Sequence, residues 1–188
     1  MVSDEKILQS VDYFAWKLGK PCSKLVILKL LYLADRWHLR KYGRTVSGDE
    51  YYAMKLGPVA SRAKRLIEKN FNGIPDAQTF VSVEKESGHE EIRSVAKPDL
   101  DWLSETDRMA LDAAIEALKK CGVRNIVEFV HSFPEWKKQE PKLNDGANRA
   151  EMDFKDFFLP CPQSDREYCD ATDELVEINK EFFLNGDW

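Results

Sequence analysis

The sequence contains none of the short motifs that mark common nucleotide-binding and hydrolytic sites. The patterns GxxxxGK followed by Ser or Thr, GxGxxG, HExxH and GxSxG are all absent. The four cysteines form no C-x2-C pair and the three histidines are scattered, so no ligand spacing supports a zinc site. We therefore expect no cofactor and no metal. The cysteines, expected as free thiols, are Cys22, Cys121, Cys161 and Cys169.

The sequence also lacks a long apolar run. No stretch approaches the roughly 18 to 20 apolar residues that a membrane-spanning helix needs. The first residues, MVSDEKILQSVD, include acidic side chains and lack the apolar core of a signal peptide. We expect a cytoplasmic protein that does not interact with a membrane.

Positive charge is scarce in the C-terminal part of the chain and abundant near the N-terminus. Residues 17–70 hold thirteen Lys or Arg against four Asp or Glu, a local net charge of +9. Residues 139–188 hold five against thirteen, a local net charge of −8. The basic part indicates an anionic partner surface or docking of the chain's own acidic tail, unless both faces are simply solvated.

The core of the fold is expected around one central helix. Between residues 25 and 33 the only charged residue is Lys29, and a helix that is apolar almost all round is buried in a bundle. Ser23 is its predicted N-cap and Gly43 its stop, which places the helix over about 24–42. We predict a mainly α fold, a compact helical bundle around this buried helix, with a small β-hairpin or sheet element.

Three cations on this helix lie on one side. At 100° per residue, Lys29, Arg36 and Arg40 fall within about 40° of one direction, and Tyr32 flanks them. A lysine among apolar neighbours usually extends its amine to solvent or meets a carboxylate. The alternative is that the stripe forms the floor of a groove that meets acidic groups of a partner.

The flanking segments predict further elements. Asp4 is expected to cap a first helix that ends at Gly19, and Gly57-Pro58 to begin another after short extended pieces that include residues 51–54. Residues 79–83 and 91–95 alternate polar and apolar side chains around a turn, as in a β-hairpin. Further expectations are a capping box at Ser104, a linker over 137–150, an amphipathic helix over 152–159 and a final helix over about 164–183.

Two sequence patterns resemble a known family. They are K-L-L-Y-L-A-D-R-x-H-L-x-x-Y-G-R over 29–44 and G-D-x-Y-x-A-M-K-x-G-P-V over 48–59, and H-S-x-P-x-W over 131–136 adds to them. Over about residues 5–138 the chain resembles the Panacea domain of the SocA-like antitoxins. The resemblance implies a Panacea-like antitoxin domain over 1–138. The rest of the chain, 139–188, is predicted to be an acidic helical extension that packs on this domain.

The resemblance also implies a function. Such proteins are antitoxins of bacterial toxin–antitoxin systems, often carried by prophages, and generally neutralise a cognate protein toxin by direct binding. At least one branch is an adaptor that delivers its toxin to a protease. Members fused to DNA-binding domains occur, but this chain has no clear room for such a domain.

The expected binding face combines the basic stripe with nearby Arg and Tyr residues, which are enriched at interface hot spots. Its residues are Lys29, Tyr32, Arg36, Arg40, Arg44, Tyr52, Lys55 and Arg62. The residues expected to set the shape of the segment are Gly43, Gly57, Pro58 and Trp136.

Three other functions remain as alternatives. A protease adaptor would deliver the toxin for degradation. The acidic tail would either cover a basic toxin surface or fold back over the stripe. A nucleic-acid-binding regulator is less favoured, because no polar recognition helix accompanies the basic face. An enzyme would use Asp35, His38 or Asp49, but no catalytic constellation is evident and we expect no enzymatic activity.

Overall fold

The computed structural model describes residues 3–86, 88–160, 168 and 171–186. Most of these residues are helical, which agrees with the predicted mainly α class. Within these ranges, no helix combines the length and apolar character that crossing a membrane requires. Cys161 and Cys169 lie outside the described residues, as do parts of the predicted final helix.

The elements are named in chain order. The helices are α1 (Asp4–Leu18), α2 (Lys24–Tyr42), α3 (Ser61–Glu68), α4 (Ala77–Phe80), α5 (Glu105–Cys121), α6 (Ile126–His131), α7 (Pro134–Lys137), α8 (Glu140–Asn144) and α9 (Asp173–Asn185). The strands are β1 (Cys22–Ser23), β2 (Tyr51–Met54), β3 (Gly57–Ala60), β4 (Val81–Glu86), β5 (His89–Ser94) and β6 (Ala150–Glu151). Short 3-10 turns cover Leu100–Trp102, Val123–Asn125 and Phe154–Phe158.

Helix α2 is buried along most of its length, since every residue from Val26 to Arg40 is inaccessible to solvent or nearly so. It begins and ends as its sequence predicts. The Ser23 hydroxyl accepts a hydrogen bond from the Val26 amide, and Gly43 ends the helix in the left-handed conformation with φ of 69°. The helices α1, α5, α6 and α9 and the strand β3 all contact α2.

Two small antiparallel sheets lie beside these helices. One has the strand order β1-β5-β4 and contains the predicted hairpin, with Val83 opposite Ile92. The other has the order β3-β2-β6, and its register places Ala53 opposite both Pro58 and Ala150. The second sheet therefore joins the middle of the chain to the segment after residue 149.

The prediction that Gly57-Pro58 begins a helix is wrong. Both residues belong to β3, and α3 starts only at Ser61. Proline is tolerated here because β3 is an edge strand of the sheet and Pro58 needs no amide for a ladder bond on its outer side. Gly57 has φ of +99°, which favours glycine, and a Cβ built on it would lie 2.7 Å from Val130 Cγ2. Gly57 thus lets the strand approach α6 closely.

Other local expectations also need correction. The segment 137–150 is not a simple linker, since it contains α8 and the start of β6. Residues 154–158 form a 3-10 turn in place of the predicted helix. Ser3, and not Asp4, caps α1 through its hydroxyl, which accepts from the Lys6 amide. The capping box at Ser104 is confirmed, with Asp107 as its reciprocal partner.

The hydrophobic core runs through both parts of the chain. The same connected cluster of buried side chains includes Phe14 of α1, Leu30 of α2, Phe133 beside α7, and Phe157 and Val176 of the C-terminal part. Trp136 is buried as well, with 5% of its surface exposed. The division of the chain at about residue 138 into two domains remains a prediction.

Candidate partner-binding site

The predicted basic stripe lies in the interior of the protein. The exposed fractions are 1% for Lys29, 0% for Tyr32, 0% for Arg36 and 6% for Arg40. The expectation that these side chains form the floor of an open groove is therefore wrong. In this fold none of the four is available for direct contact with a partner. Lys29 lies against β3, and the chain's own residues after 130 cover the other three.

Arg36 lies in a fully buried ion pair with Glu135 of α7. The guanidinium Nε donates to Glu135 Oε1 at 2.7 Å, and the Tyr32 hydroxyl donates to the same oxygen. The Phe133 ring lies 4.4 Å from the guanidinium carbon, within range of a cation–π contact. Burial and the nearby Glu135 carboxylate raise the pKa of Tyr32 well above its usual value, so its hydroxyl stays a hydrogen-bond donor.

Arg40 and Arg36 bind the segment that follows Phe154. Arg40 Nη1 donates to the carbonyl oxygens of Phe157 and Leu159, each at 3.2 Å, and Arg36 Nη2 donates to Leu159 at 3.3 Å. The Asn179 amide of α9 donates to the Arg40 carbonyl at 2.9 Å. The tail thus folds back over the stripe, and these bonds use backbone carbonyls of the tail.

Lys29 meets a backbone carbonyl, where the sequence suggested a carboxylate or solvent. Its Nζ donates to the Pro58 carbonyl at 2.6 Å, and burial lowers its pKa to about 7. Lys29 also favours glycine at position 57, because a Cβ on that residue would lie 3.1 Å from Lys29 Nζ. Lys29 therefore ties α2 to β3.

Trp136 bonds to the other strand of the β2–β3 hairpin. Its indole Nε1 donates to the Met54 carbonyl at 3.1 Å, and the His131 ring stacks on the indole with centroids 3.6 Å apart and planes at 9°. His131 Nε2 is buried and has no hydrogen-bond partner among the described residues. The H-S-x-P-x-W pattern thus supports the hairpin through one indole donor.

Asp35 organises the loop between α2 and β2. Its Oδ1 accepts from the amides of Val46 and Ser47, both at 2.8 Å, and its Oδ2 accepts from the Tyr51 hydroxyl at 2.7 Å and from the Ser47 hydroxyl. Burial raises the pKa of Asp35 to about 6 despite these bonds. Both carboxylate oxygens of Asp35 therefore accept hydrogen bonds that hold this loop in place.

Asp49 caps the N-terminus of α3, although it lies well before that helix in the sequence. Its carboxylate accepts from the amides of Arg62 at 2.8 Å and Ala63 at 2.7 Å, and from its neighbour Glu50 at 2.7 Å. Sequence reasoning missed this role because the capping residue lies twelve positions before the start of the helix, and Ala60 at the N-cap has no side-chain acceptor.

His38 is a buried neutral imidazole. Its Nδ1 lies 2.8 Å from the Arg44 carbonyl, so that nitrogen carries the hydrogen, and its Nε2 accepts from the Thr106 hydroxyl at 3.0 Å. Burial lowers its pKa to about 4. Arg44, predicted at the binding face, donates to Asp107 Oδ1 at 2.9 Å and keeps 36% of its side chain exposed.

The three remaining predicted residues lie at the surface. Arg62 pairs with Asp4, with 41% of the Arg62 side chain exposed. Tyr52 is half-buried, and the Arg149 guanidinium lies 4.6 Å from its ring centroid. Lys55 is exposed in the β2–β3 turn. Among the predicted residues, Tyr52 and Lys55 form no ion pair within the described part of the chain and are accessible to a partner.

The whole-chain comparisons identify the family. The profile of the family described as antitoxin SocA-like, Panacea domain, matches residues 27–137. That range runs from the first turn of α2 through α7 and covers more than half of the 188 residues. No curated protein and no solved structure matches the chain at a significant level. The chain belongs to the SocA-like antitoxin family and contains its Panacea domain.

Proposed function

We propose that this protein is the antitoxin of a toxin–antitoxin pair and neutralises its cognate protein toxin by direct protein–protein binding. The family match over residues 27–137 carries this proposal. The matched range contains α2 except its first three residues, the β2–β3 hairpin with its Lys29 and Trp136 supports, and α5. The family pattern therefore corresponds to a rigid scaffold in this fold.

The states of the titratable side chains favour a binding protein over an enzyme. Asp35 and Asp49 accept backbone amides, and His38 bridges a carbonyl and a hydroxyl inside the protein. A general base must reach a substrate proton, and these groups already hold loops and helix ends in place. The matched region also offers accessible candidates for contact at the half-buried Tyr52 and the exposed Lys55.

The test is co-expression of this protein with the product of the adjacent reading frame. We expect that product to stop growth alone, this protein to restore growth, and the two proteins to elute as one complex. Tyr52→Ala with Lys55→Glu should weaken the complex, whereas Lys85→Glu, an equal charge change on the exposed end of β4, should not. A product that is not toxic, or whose toxicity this protein leaves unchanged, contradicts the proposal.

Toxin lifetime separates direct binding from delivery to a protease. After translation is blocked, direct neutralisation predicts a stable toxin that remains in the complex. A toxin that disappears only when both this protein and a cellular protease are present would support the adaptor alternative.

A further inference from the structure

The C-terminal helix α9 has an uncovered apolar side. Val176 lies against the core with 5% exposure, whereas Ile178 and Phe182 are 56% and 45% exposed. Together with the half-buried Leu175 they are spaced i, i+3 and i+7, which places all three on one side of a helix. Single exposed apolar residues are ordinary, but a stripe of this spacing is the pattern by which helices pack on a partner.

The apolar stripe adjoins negative charge. Helix α9 holds four Asp or Glu and one Lys, a net charge of −3. That lysine, Lys180, forms an ion pair with Glu177, with its Nζ 2.7 Å from Glu177 Oε1. The exposed Glu174 and Glu181 form no ion pair with any described residue. Both of these side chains are exposed to solvent.

The position of α9 is fixed by several contacts. Asn179 donates to the Arg40 carbonyl, and Phe183 lies against Phe154 and Phe158 with ring centroids 5.8 and 5.9 Å apart. A Cβ built on Gly43 would lie 3.3 Å from Phe182 Cδ1, so the glycine that ends α2 leaves room for that ring. The stripe is therefore presented on an ordered helix, which lowers the entropy cost of binding.

The charge on α9 distinguishes between two occupants. A second copy of this chain would bring another helix of net charge −3 against the first, and like charges in contact oppose association. A protein surface that is apolar at its centre and ringed by Lys or Arg would match both the stripe and its carboxylates. The charge pattern thus favours a basic partner over self-association.

We propose that α9 is a toxin-docking surface, in which Ile178 and Phe182 contact an apolar patch of the toxin and Glu174 and Glu181 contact basic residues around it. This proposal rests on the proposed function and specifies that the part of the toxin that contacts α9 is basic. It assigns a binding role to residues outside the family match, which ends at residue 137.

The test compares variants of the full chain for binding to the purified product of the adjacent reading frame. Ile178→Asp introduces a charge at the centre of the stripe, and Val95→Asp is its control at a residue of similar exposure, 59%. Glu174→Lys with Glu181→Lys reverses the charge, and Asp101→Lys with Glu128→Lys makes the same change at exposed positions away from α9. Circular dichroism and urea unfolding establish that each variant folds.

We expect both α9 variants to weaken binding by about tenfold or more, a change of about 1.4 kcal/mol, while both controls bind as the unmodified protein does. The association rate of the unmodified protein should fall with ionic strength, and the charge-reversed variant should lose that dependence. Unchanged affinity in both folded α9 variants overturns this proposal alone. Failure of the unmodified protein to bind overturns the proposed function with it. A dimer that Ile178→Asp converts to a monomer, with toxin binding unchanged, shows a self-interface and also overturns the proposal.

Discussion

The guanidinium of Arg36 and the carboxylate of Glu135 form an ion pair 2.7 Å long in which neither side chain has any exposure to solvent. The two residues are 99 positions apart, and their contact joins α2 to α7. Such a pair contributes little over an apolar replacement of both partners, but the loss of one partner leaves a buried charge without compensation.

The first prediction concerns this pair. Arg36→Met and Glu135→Leu should each lower the free energy of unfolding by about 3 to 5 kcal/mol, and the double variant should lose clearly less than the sum. Urea unfolding of the four proteins in a double-mutant cycle measures this. The control is Arg93→Met, which removes the exposed pair with Glu84 and should change stability by less than about 1 kcal/mol. Additive losses would show that the two side chains act independently.

The second prediction uses two glycines with nearly the same φ. Gly57 and Gly73 have φ of +99° and +100°, but a Cβ would lie 2.7 Å from Val130 Cγ2 at Gly57 and meet nothing within 4 Å at Gly73. Gly73→Ala should cost about 1 to 3 kcal/mol from backbone strain alone. Gly57→Ala should cost about 1 to 3 kcal/mol more, because Val130 or the strand must shift. Equal losses for the two variants in urea unfolding would contradict the close approach of β3 to α6.

The third prediction is a pH dependence from Lys29. Burial lowers its pKa from 10.5 to about 7, so between these pH values the unfolded chain binds a proton that the folded protein lacks. The Lys29 contribution to the free energy of unfolding must therefore rise with pH across that window and stay constant below it. Relative to Lys29→Met, the unmodified protein should gain up to about 1.4 kcal/mol per pH unit.

Urea unfolding at pH 6.5, 7.5, 8.5 and 9.5 measures the Lys29 effect. All other titrating groups are shared by the two proteins and cancel in the difference between them. Gly73→Ala serves as a destabilised control without a change in titratable groups, and its curve should run parallel to that of the unmodified protein. A Lys29→Met curve that is also parallel would show that the amine keeps its proton in the folded state.

The fourth prediction concerns the loop held by Asp35. Asp35→Ala removes the acceptor of the Val46 and Ser47 amides, and two buried donors without partners should cost about 3 kcal/mol or more. Hydrogen exchange at these two amides should accelerate to a similar extent. Ser47→Ala, which removes only the hydroxyl, should leave their protection largely intact. Unaltered exchange in the Asp35 variant would mean that the carboxylate does not hold the loop.

Local sequence patterns predicted the long helices α1, α2 and α5 but not the short helices α4, α7 and α8. The run of apolar residues around Leu30 predicted the burial of α2. Gly43 marked the end of α2 correctly, and the capping box at Ser104 marked the start of α5. These signals lie within a few residues of the feature that they specify. Gly57-Pro58 carries an equally local signal, but strand pairing with β2 overrode the helix preference.

The site was harder to predict because its partners are remote in sequence. An arginine on a buried helix must have a hydrogen-bond acceptor inside the protein. No residue close to Arg36 or Arg40 in the sequence indicates that the acceptors are Glu135 and the carbonyls of Phe157 and Leu159. Four predicted binding residues proved to be internal for this reason. The final helix was predicted, but its exposed apolar side could be recognised only from the packing of Val176 and Phe183 on the rest of the protein.

The bonds from Arg40 to Phe157 and Leu159 span 117 and 119 residues, and this separation affects the order in which the protein is completed during synthesis. At about 5 to 20 residues per second, roughly 6 to 24 seconds pass between the translation of Arg40 and that of its acceptors. During that interval the cationic side of α2 has no tail to cover it and must remain hydrated or be shielded by other molecules. A nascent chain that stalls before residue 157 would expose this basic surface, whereas the finished protein presents the acidic helix α9 in its place.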